Sequence, residues 1–197
     1  MNIIEQIASE RVRITEEKLL SDNWYVLKRY TFNYLGNNGK WTTQQREAYD
    51  RGNGATILLH NPQTDTVILT RQFRLPTFVN GNETGLLIEA CAGLLDDEHP
   101  DDAIRREMEE ETGFRIESVQ KVMEAYMSPG SVTEKLFFYI AEYSADTQRN
   151  AGGGIEEEEI EILELPVAEA MAMIKQGEIQ DGKTIMLLQH LRLRQLS

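Results

Sequence analysis

Cysteine is nearly absent from this chain: among 197 residues only Cys91 occurs. A single thiol excludes an internal disulfide and fits a reducing compartment. Its place within the apolar run LLIEACAGLL marks it as a small buried hydrophobe. Histidine is scarce as well, and His60, His99 and His190 show no ligand spacing, so each reads as structural or exposed. Positive charge is in deficit, with 20 Lys and Arg against 33 Asp and Glu and a net charge of −13. Non-specific nucleic-acid binding needs a basic surface and is excluded on that ground. An acidic protein can still handle phosphates by recruiting divalent cations. No apolar stretch approaches the roughly 18 residues of a membrane-spanning helix, so no membrane association is expected. The N-terminal MNIIEQIASERVR carries acids where a secretory leader would carry a basic region. A cytoplasmic location is expected.

What is present is ordinary for a globular chain: 41% hydrophobic and 27% charged residues, enough for one domain with a small appended element. The first nine residues read as a short helical turn. RVRITEEKLL and WYVLKRYTFNYL read as two strands joined by SDN, a hairpin rich in aromatic and β-branched residues. NNGK and NPQTD are turns, ATILLH and TVILTRQFRL are strands, and VNGNETG is a loop before the apolar LLIEACAGLL. VQKVMEAYM and KLFFYIAEY are strands around the loop SPGSVTE, and IEILEL is one more. PVAEAMAMIKQGE opens with a proline at a favoured first helical position, and DGKTIMLLQHLRLRQL is a second helix or a buried segment. Strands with one central and two terminal helices predict an α/β sandwich, helices covering a mixed sheet.

Residues Pro100–Thr112 read as a helix, with Ala103, Ile104 and Met108 apolar and Gly113 placed to end it. Four glutamates crowd into five positions, 107 to 111. On a helix Glu107, Glu110 and Glu111 share one face while Glu109 points elsewhere. Carboxylates this close raise one another's pKa unless a cation neutralises them, and hard oxygen donors at this density suit Mg²⁺ or Mn²⁺. A solvated acidic helix face is the bland alternative for such a run.

The surrounding residues decide between the two. Gly93, Glu98 and Arg106-Glu107-Met108-Glu109-Glu110-Glu111-Thr112-Gly113-Phe114 resemble the Nudix box, whose helical half runs Arg-Glu-hydrophobic-x-Glu-Glu-x-Gly-hydrophobic. One departure is visible: four residues separate Gly93 from Glu98 where the family has five, while the seven-residue gap from Glu98 to Arg106 is kept. The shortening falls in the loop before the helix, and Glu98 reads as a partner for Arg106. REAYDRGNGATILL, RQFR, NGNETG, EACAGLLD, YMSPGSVTE, AGGGIEEEEIE, ELP and GEIQDGKT extend the resemblance to the nucleoside-diphosphate-sugar pyrophosphatase branch.

That resemblance implies a Nudix α/β/α sandwich with mixed β-sheets, residues 51–197. It also implies an N-terminal antiparallel strand subdomain, residues 1–50, exchanged across a homodimer. The activity implied is Mg²⁺-dependent hydrolysis of the diphosphate in a nucleotide sugar, with GDP-mannose foremost. ADP-ribose hydrolysis and a non-catalytic nucleotide-sugar-binding regulator are the other readings. The implied metal ligands are Glu107, Glu111, Glu158 and the carbonyl of Ala92. Glu111 is implied to orient water, with Glu134 or Glu158 as candidate general base. Arg74 is the implied phosphate contact and Lys183 can neutralise a phosphate. Gln45, Arg46 and Glu47 match the nucleotide-contacting segment, and Trp24 matches an aromatic that stacks on the base from the partner subunit. Ala92, Gly93, Leu94, Glu134 and Glu157 complete the substrate contacts so implied. Gly152, Gly153 and Gly154 are either a plain linker or the flexible arm of an acidic loop.

Overall fold

The computed structural model describes residues 10–153 and 159–196. The helical turn expected for the first nine residues lies outside them, as do Gly154 and Glu156 to Glu158. The chain forms two compact units, one running to Gly52 and taking in Tyr126–Glu134, the other comprising Asn53–Ala125 and the chain from Lys135 onward. The sequence division at residue 50 had left Tyr126–Glu134 with the second part.

In the first unit β1 (Val12–Asp22), β2 (Val26–Leu35) and β3 (Trp41–Asp50) form an antiparallel sheet in the order β1-β2-β3. The expected hairpin is its first two strands, and QQREAYD extends the third. Tyr49 bridges Val132 in parallel, and the Thr133 hydroxyl donates to Asp50 at 2.9 Å, which ties the Tyr126–Glu134 segment to β3. None of this unit's described residues is buried. A three-stranded sheet with so little covered surface is marginal alone.

The second unit holds a seven-stranded sheet. Its strands are β4 (Gly54–Asn61), β5 (Thr66–Phe73), β6 (Leu86–Glu89), β7 (Cys91–Leu94), β8 (Gln120–Tyr126), β9 (Lys135–Glu142) and β10 (Glu161–Pro166). The order is β10-β5-β4-β9-β8, with β6 beside β5 and β7 beside β4. β4 and β9 run parallel, whereas β5 is antiparallel to β4, β6 and β10. Every residue of β4 is buried, as expected of a central strand covered on both faces. Four helices are described: α1 (Leu75–Val79), α2 (Pro100–Thr112), α3 (Val167–Gln176) and α4 (Gly182–Gln195). Ala55, Ile57 and Leu59 of β4 join Ile104 and Met108 of α2 in one core cluster. Alternation turns Leu58 to the opposite face, and α4 packs on β4 and β9 through buried Leu187, Leu188 and Leu191. The fold is the expected mixed α/β sandwich.

One local reading is corrected: the strand TVILTRQFRL stops at Phe73, and the following Leu75–Val79 coils into α1 with Pro76 in its first turn. The apolar LLIEACAGLL forms two strands that break at Ala90, the first pairing with the far half of β5 and the second with the near half of β4. The segment 181–196, left open as helix or buried run, is helix α4 with one buried side. Among the described residues no helix is long and apolar enough to cross a membrane.

Candidate active site

Helix α2 starts where sequence chemistry says it should. The His99 ring accepts from the Asp101 N–H at 3.3 Å, Pro100 fills the first turn, and Asp101 and Asp102 face the positive end of the helix dipole. It ends at Gly113, left-handed at φ 78. The shortened loop before it turns through Asp96 and Asp97, both at positive φ, which aspartate tolerates better than most residues.

The buried side of α2 is not wholly apolar. Glu111 lies among Ala103, Ile104, Met108 and Thr112, only 7% exposed. Its Oε2 is buried and has no hydrogen-bond partner. Burial first, and then the nearby charges of Glu107 and Glu89, push its carboxyl up to about 7, against a hydrogen bond from the Cys91 thiol and the charge of Arg74. Cys91 is buried in the core, as the sequence suggested, and burial pushes its thiol up. Glu107 lies one turn earlier, and its side chain rests directly on the backbone of Gly93 in β7, in the space any Cβ would occupy. Burial also raises the Glu107 carboxyl, partly offset by Arg106. Arg106 donates to Glu107 at 2.9 Å, Glu110 at 3.1 Å and Glu98 at 3.3 Å, so the Glu98 partnership read from spacing is present. Glu109 points away, toward Arg115 and Asn150.

An unsatisfied buried carboxylate oxygen, a second carboxylate seated on bare backbone, and hard oxygen donors throughout fit a divalent cation such as Mg²⁺. Among the described residues no three acidic, histidine or cysteine side chains converge closely enough to hold an ion by themselves. Further donors must come from elsewhere, such as the backbone carbonyl of Ala92. Glu157 and Glu158, singled out by resemblance, lie outside the described residues. The chain leading to them is anchored: the Gly153 N–H donates to the Glu111 carbonyl at 2.7 Å, and a Cβ on Gly152 would collide with the end of α2. Gly152 is packed against the helix and Gly153 is held to it through its N–H.

Beside Glu111 sits a group that the sequence reading missed. Glu89, at the end of β6 and 4% exposed, accepts from Arg74 Nε at 2.6 Å and from Lys183 Nζ at 2.6 Å. Lys183 is buried and also pairs with Asp181 at 3.1 Å. Asp181 caps α4 by accepting from the Thr184 N–H, while the Thr184 hydroxyl accepts from the Ala90 N–H at 2.6 Å. A carboxylate inside an apolar run was the available signal, because a buried charge must be paired.

Most of the remaining candidates belong to the first unit. Trp24 is 83% exposed in the turn between β1 and β2, edge-on to Tyr25. Gln45, Arg46 and Glu47 are consecutive on β3, so Arg46 faces opposite to the other two. Gln45 donates to the Thr31 hydroxyl at 3.2 Å, and Arg46 donates to the carbonyl of Gln45 at 2.7 Å. Glu134 pairs with Arg51 at 3.3 Å. Ala92, Gly93 and Leu94 are half-buried on β7 of the second unit.

A mixed sheet with this glutamate-bearing helix over a glycine strand defines the class, and comparison agrees: residues 50–188 match the profile of the NUDIX domain. The chain belongs to the Nudix hydrolase family and is a pyrophosphohydrolase. Residues 11–49 match the GDP-mannose pyrophosphatase NudK N-terminal domain. A GDP-mannose pyrophosphatase of Pectobacterium atrosepticum is 58% identical over 186 residues, covering 94% of this chain and 96% of its own. One from Citrobacter koseri is 55% identical over 183 residues, 93% and 96% of the two chains. One from Escherichia coli O157:H7 is 52% identical over 188 residues, 95% and 98% of the two. The crystal structure of an ADP compounds hydrolase superposes with a TM-score of 0.73 at 18% identity, covering 94% of each chain.

Proposed function

We propose that this enzyme hydrolyses the diphosphate bond of GDP-mannose, giving GMP and mannose 1-phosphate, with Mg²⁺ as cofactor and Mn²⁺ as a substitute. The observation that carries the chemistry is the unsatisfied Glu111 oxygen beside Glu107 on Gly93. Substrate choice is supported by identities above half to the GDP-mannose pyrophosphatases over nearly the whole chain. The ADP-ribose reading rests on the shared box and architecture, and the fold match to an ADP compounds hydrolase at 18% identity carries no substrate.

Glu107, Glu111, the Ala92 carbonyl and Glu158 would hold the ion. When bound, it polarises phosphoryl oxygens and offsets the charge developing on them. Arg74 presents its terminal guanidinium nitrogens to the diphosphate, a planar fork suited to phosphate oxygens. Lys183 adds a point charge from a dry site. Glu111 orients the attacking water, and its proton goes to Glu134 or Glu158 as general base. Ala92, Gly93, Leu94, Glu134 and Glu157 contact the substrate. Gln45, Arg46 and Glu47 bind its nucleotide part, and Trp24 stacks on the base from the partner subunit of a homodimer with exchanged N-terminal strands. Supporting that assembly, none of the first unit's described residues is buried within a single chain. The division into a strand subdomain (1–50) and a hydrolase domain (51–197), and a cytoplasmic location, complete the reading.

The test is purified protein with Mg²⁺ offered GDP-mannose, ADP-ribose and diadenosine polyphosphates, with products identified. GMP and mannose 1-phosphate should form fastest. Preferred turnover of ADP-ribose would move the assignment to that substrate.

A further inference from the structure

We infer that Glu89 is a positioning residue for the diphosphate seat, a buried carboxylate that holds Arg74 and Lys183 in one geometry. The inference rests on the reading that these two cations meet the substrate's phosphates. It adds a residue that touches neither phosphate nor metal.

Glu89 is fixed on all sides. Its backbone pairs with Thr70 in the β5–β6 ladder, its carbonyl accepts from the Thr70 hydroxyl at 3.3 Å, and the next amide, Ala90, donates to Thr184. Its two oxygens are divided, Oε2 to Arg74 and Oε1 to Lys183. The consequence for Arg74 is specific. Only Nε is engaged on Glu89, and neither terminal guanidinium nitrogen has a partner among the described residues. The arginine is braced at its base with its fork left open, while its side chain stays 39% exposed. Lys183 donates to Glu89 at 2.6 Å and lies 3.1 Å from Asp181 as an ion pair. Long cationic side chains lose much rotamer freedom when ordered, and here that ordering is done before any ligand arrives. An ion pair serving only to bury Lys183 would not need to reach Arg74 as well; Asp181 is already at hand for the lysine.

A double-mutant cycle separates the two roles. Glu89→Gln, Arg74→Ala and the double variant are assayed for kcat and KM with GDP-mannose, for affinity toward inorganic pyrophosphate by calorimetry at fixed Mg²⁺, and for Tm. If Glu89 acts through Arg74, each single variant loses about tenfold in pyrophosphate affinity and in kcat/KM, and the double is within about twofold of the worse single. A multiplied loss of about a hundredfold in the double, or Glu89→Gln within about twofold of the parent, overturns the inference. Because Glu89→Gln strands a buried lysine, a second set guards against misfolding. Glu89→Gln with Lys183→Met removes both charges, and adding Arg74→Ala to it should change pyrophosphate affinity less than about twofold. A tenfold loss there refutes the role. A parent chain that binds pyrophosphate but leaves GDP-mannose intact sinks the hydrolase reading while the pyrophosphate arm still decides this one. Turnover of GDP-mannose with an additive cycle sinks Glu89 alone, and a parent that binds no pyrophosphate overturns the seat itself.

Discussion

Glu111 should make the metal-free protein lose stability as pH rises from mildly acidic to neutral. Its carboxyl, ordinarily near 4.5, is pushed up to about 7 by burial, so the folded state favours the protonated form. A group raised on folding contributes stability that is fully present below its unfolded pKa and lost as pH rises through its folded one. The window here is pH 4.5 to about 7. At about 1.4 kcal/mol per pH unit, the loss across that window is on the order of 3 kcal/mol, or roughly 6–12 °C in Tm for a chain of this size. Glu111→Gln keeps the shape and removes the titration. Thermal scans in EDTA should therefore give matching Tm values near pH 4.5 and a variant more stable by several degrees at pH 8.5. Mg²⁺ at saturation should close or reverse the gap, since an ion that binds the folded parent stabilises it by mass action. Parallel Tm profiles for parent and variant across this range in EDTA would refute the argument that Glu111 is a desolvated, unsatisfied carboxylate awaiting a cation.

The same variant should lower turnover of GDP-mannose by about a hundredfold or more at saturating Mg²⁺, and near-normal rates would remove Glu111 from the site. Gly93→Ala places a methyl where the Glu107 side chain lies, so Mg²⁺ affinity, read by titrating activity, should fall about 10- to 100-fold; an unchanged midpoint would mean that Glu107 has other room. Sedimentation at micromolar concentration should show a dimer, and an active monomer there would contradict the exchange of N-terminal strands.

Much of this architecture was legible because its signals are local. Pro100–Thr112 announces itself through proline, acidic residues and a terminal glycine, and the structure places the helix on those residues. ATILLH and TVILTRQFRL read as strands through their apolar, β-branched runs, though the second ends at Phe73. Three things were not legible, each for a physical reason. The break at Ala90 hides in LLIEACAGLL because both halves are equally apolar and only their pairing partners differ. Helix α1 is 5 residues long, too short for any period to show. The burial of Lys183 depends on Glu89, 94 positions away, and nothing near DGKT signals that partner. The box itself is dense enough to mark the α2 face, yet spacing alone could not show that Glu111 is buried or that Gly93 makes room for Glu107.

Which bond breaks is the most direct test of the account. A glycosidase needs two carboxylates flanking the anomeric carbon, one of them protonated. Here Glu107 and Glu111 sit together on one helix, where a divalent cation would keep both ionised, and Arg74 and Lys183 supply positive charge that suits a phosphoryl transition state. Hydrolysis of GDP-mannose in ¹⁸O-labelled water with Mg²⁺, followed by mass spectrometry of the products, locates the attack. The account predicts the label on a phosphate of GMP or of mannose 1-phosphate; label on the anomeric hydroxyl of free mannose, with intact GDP released, would contradict it.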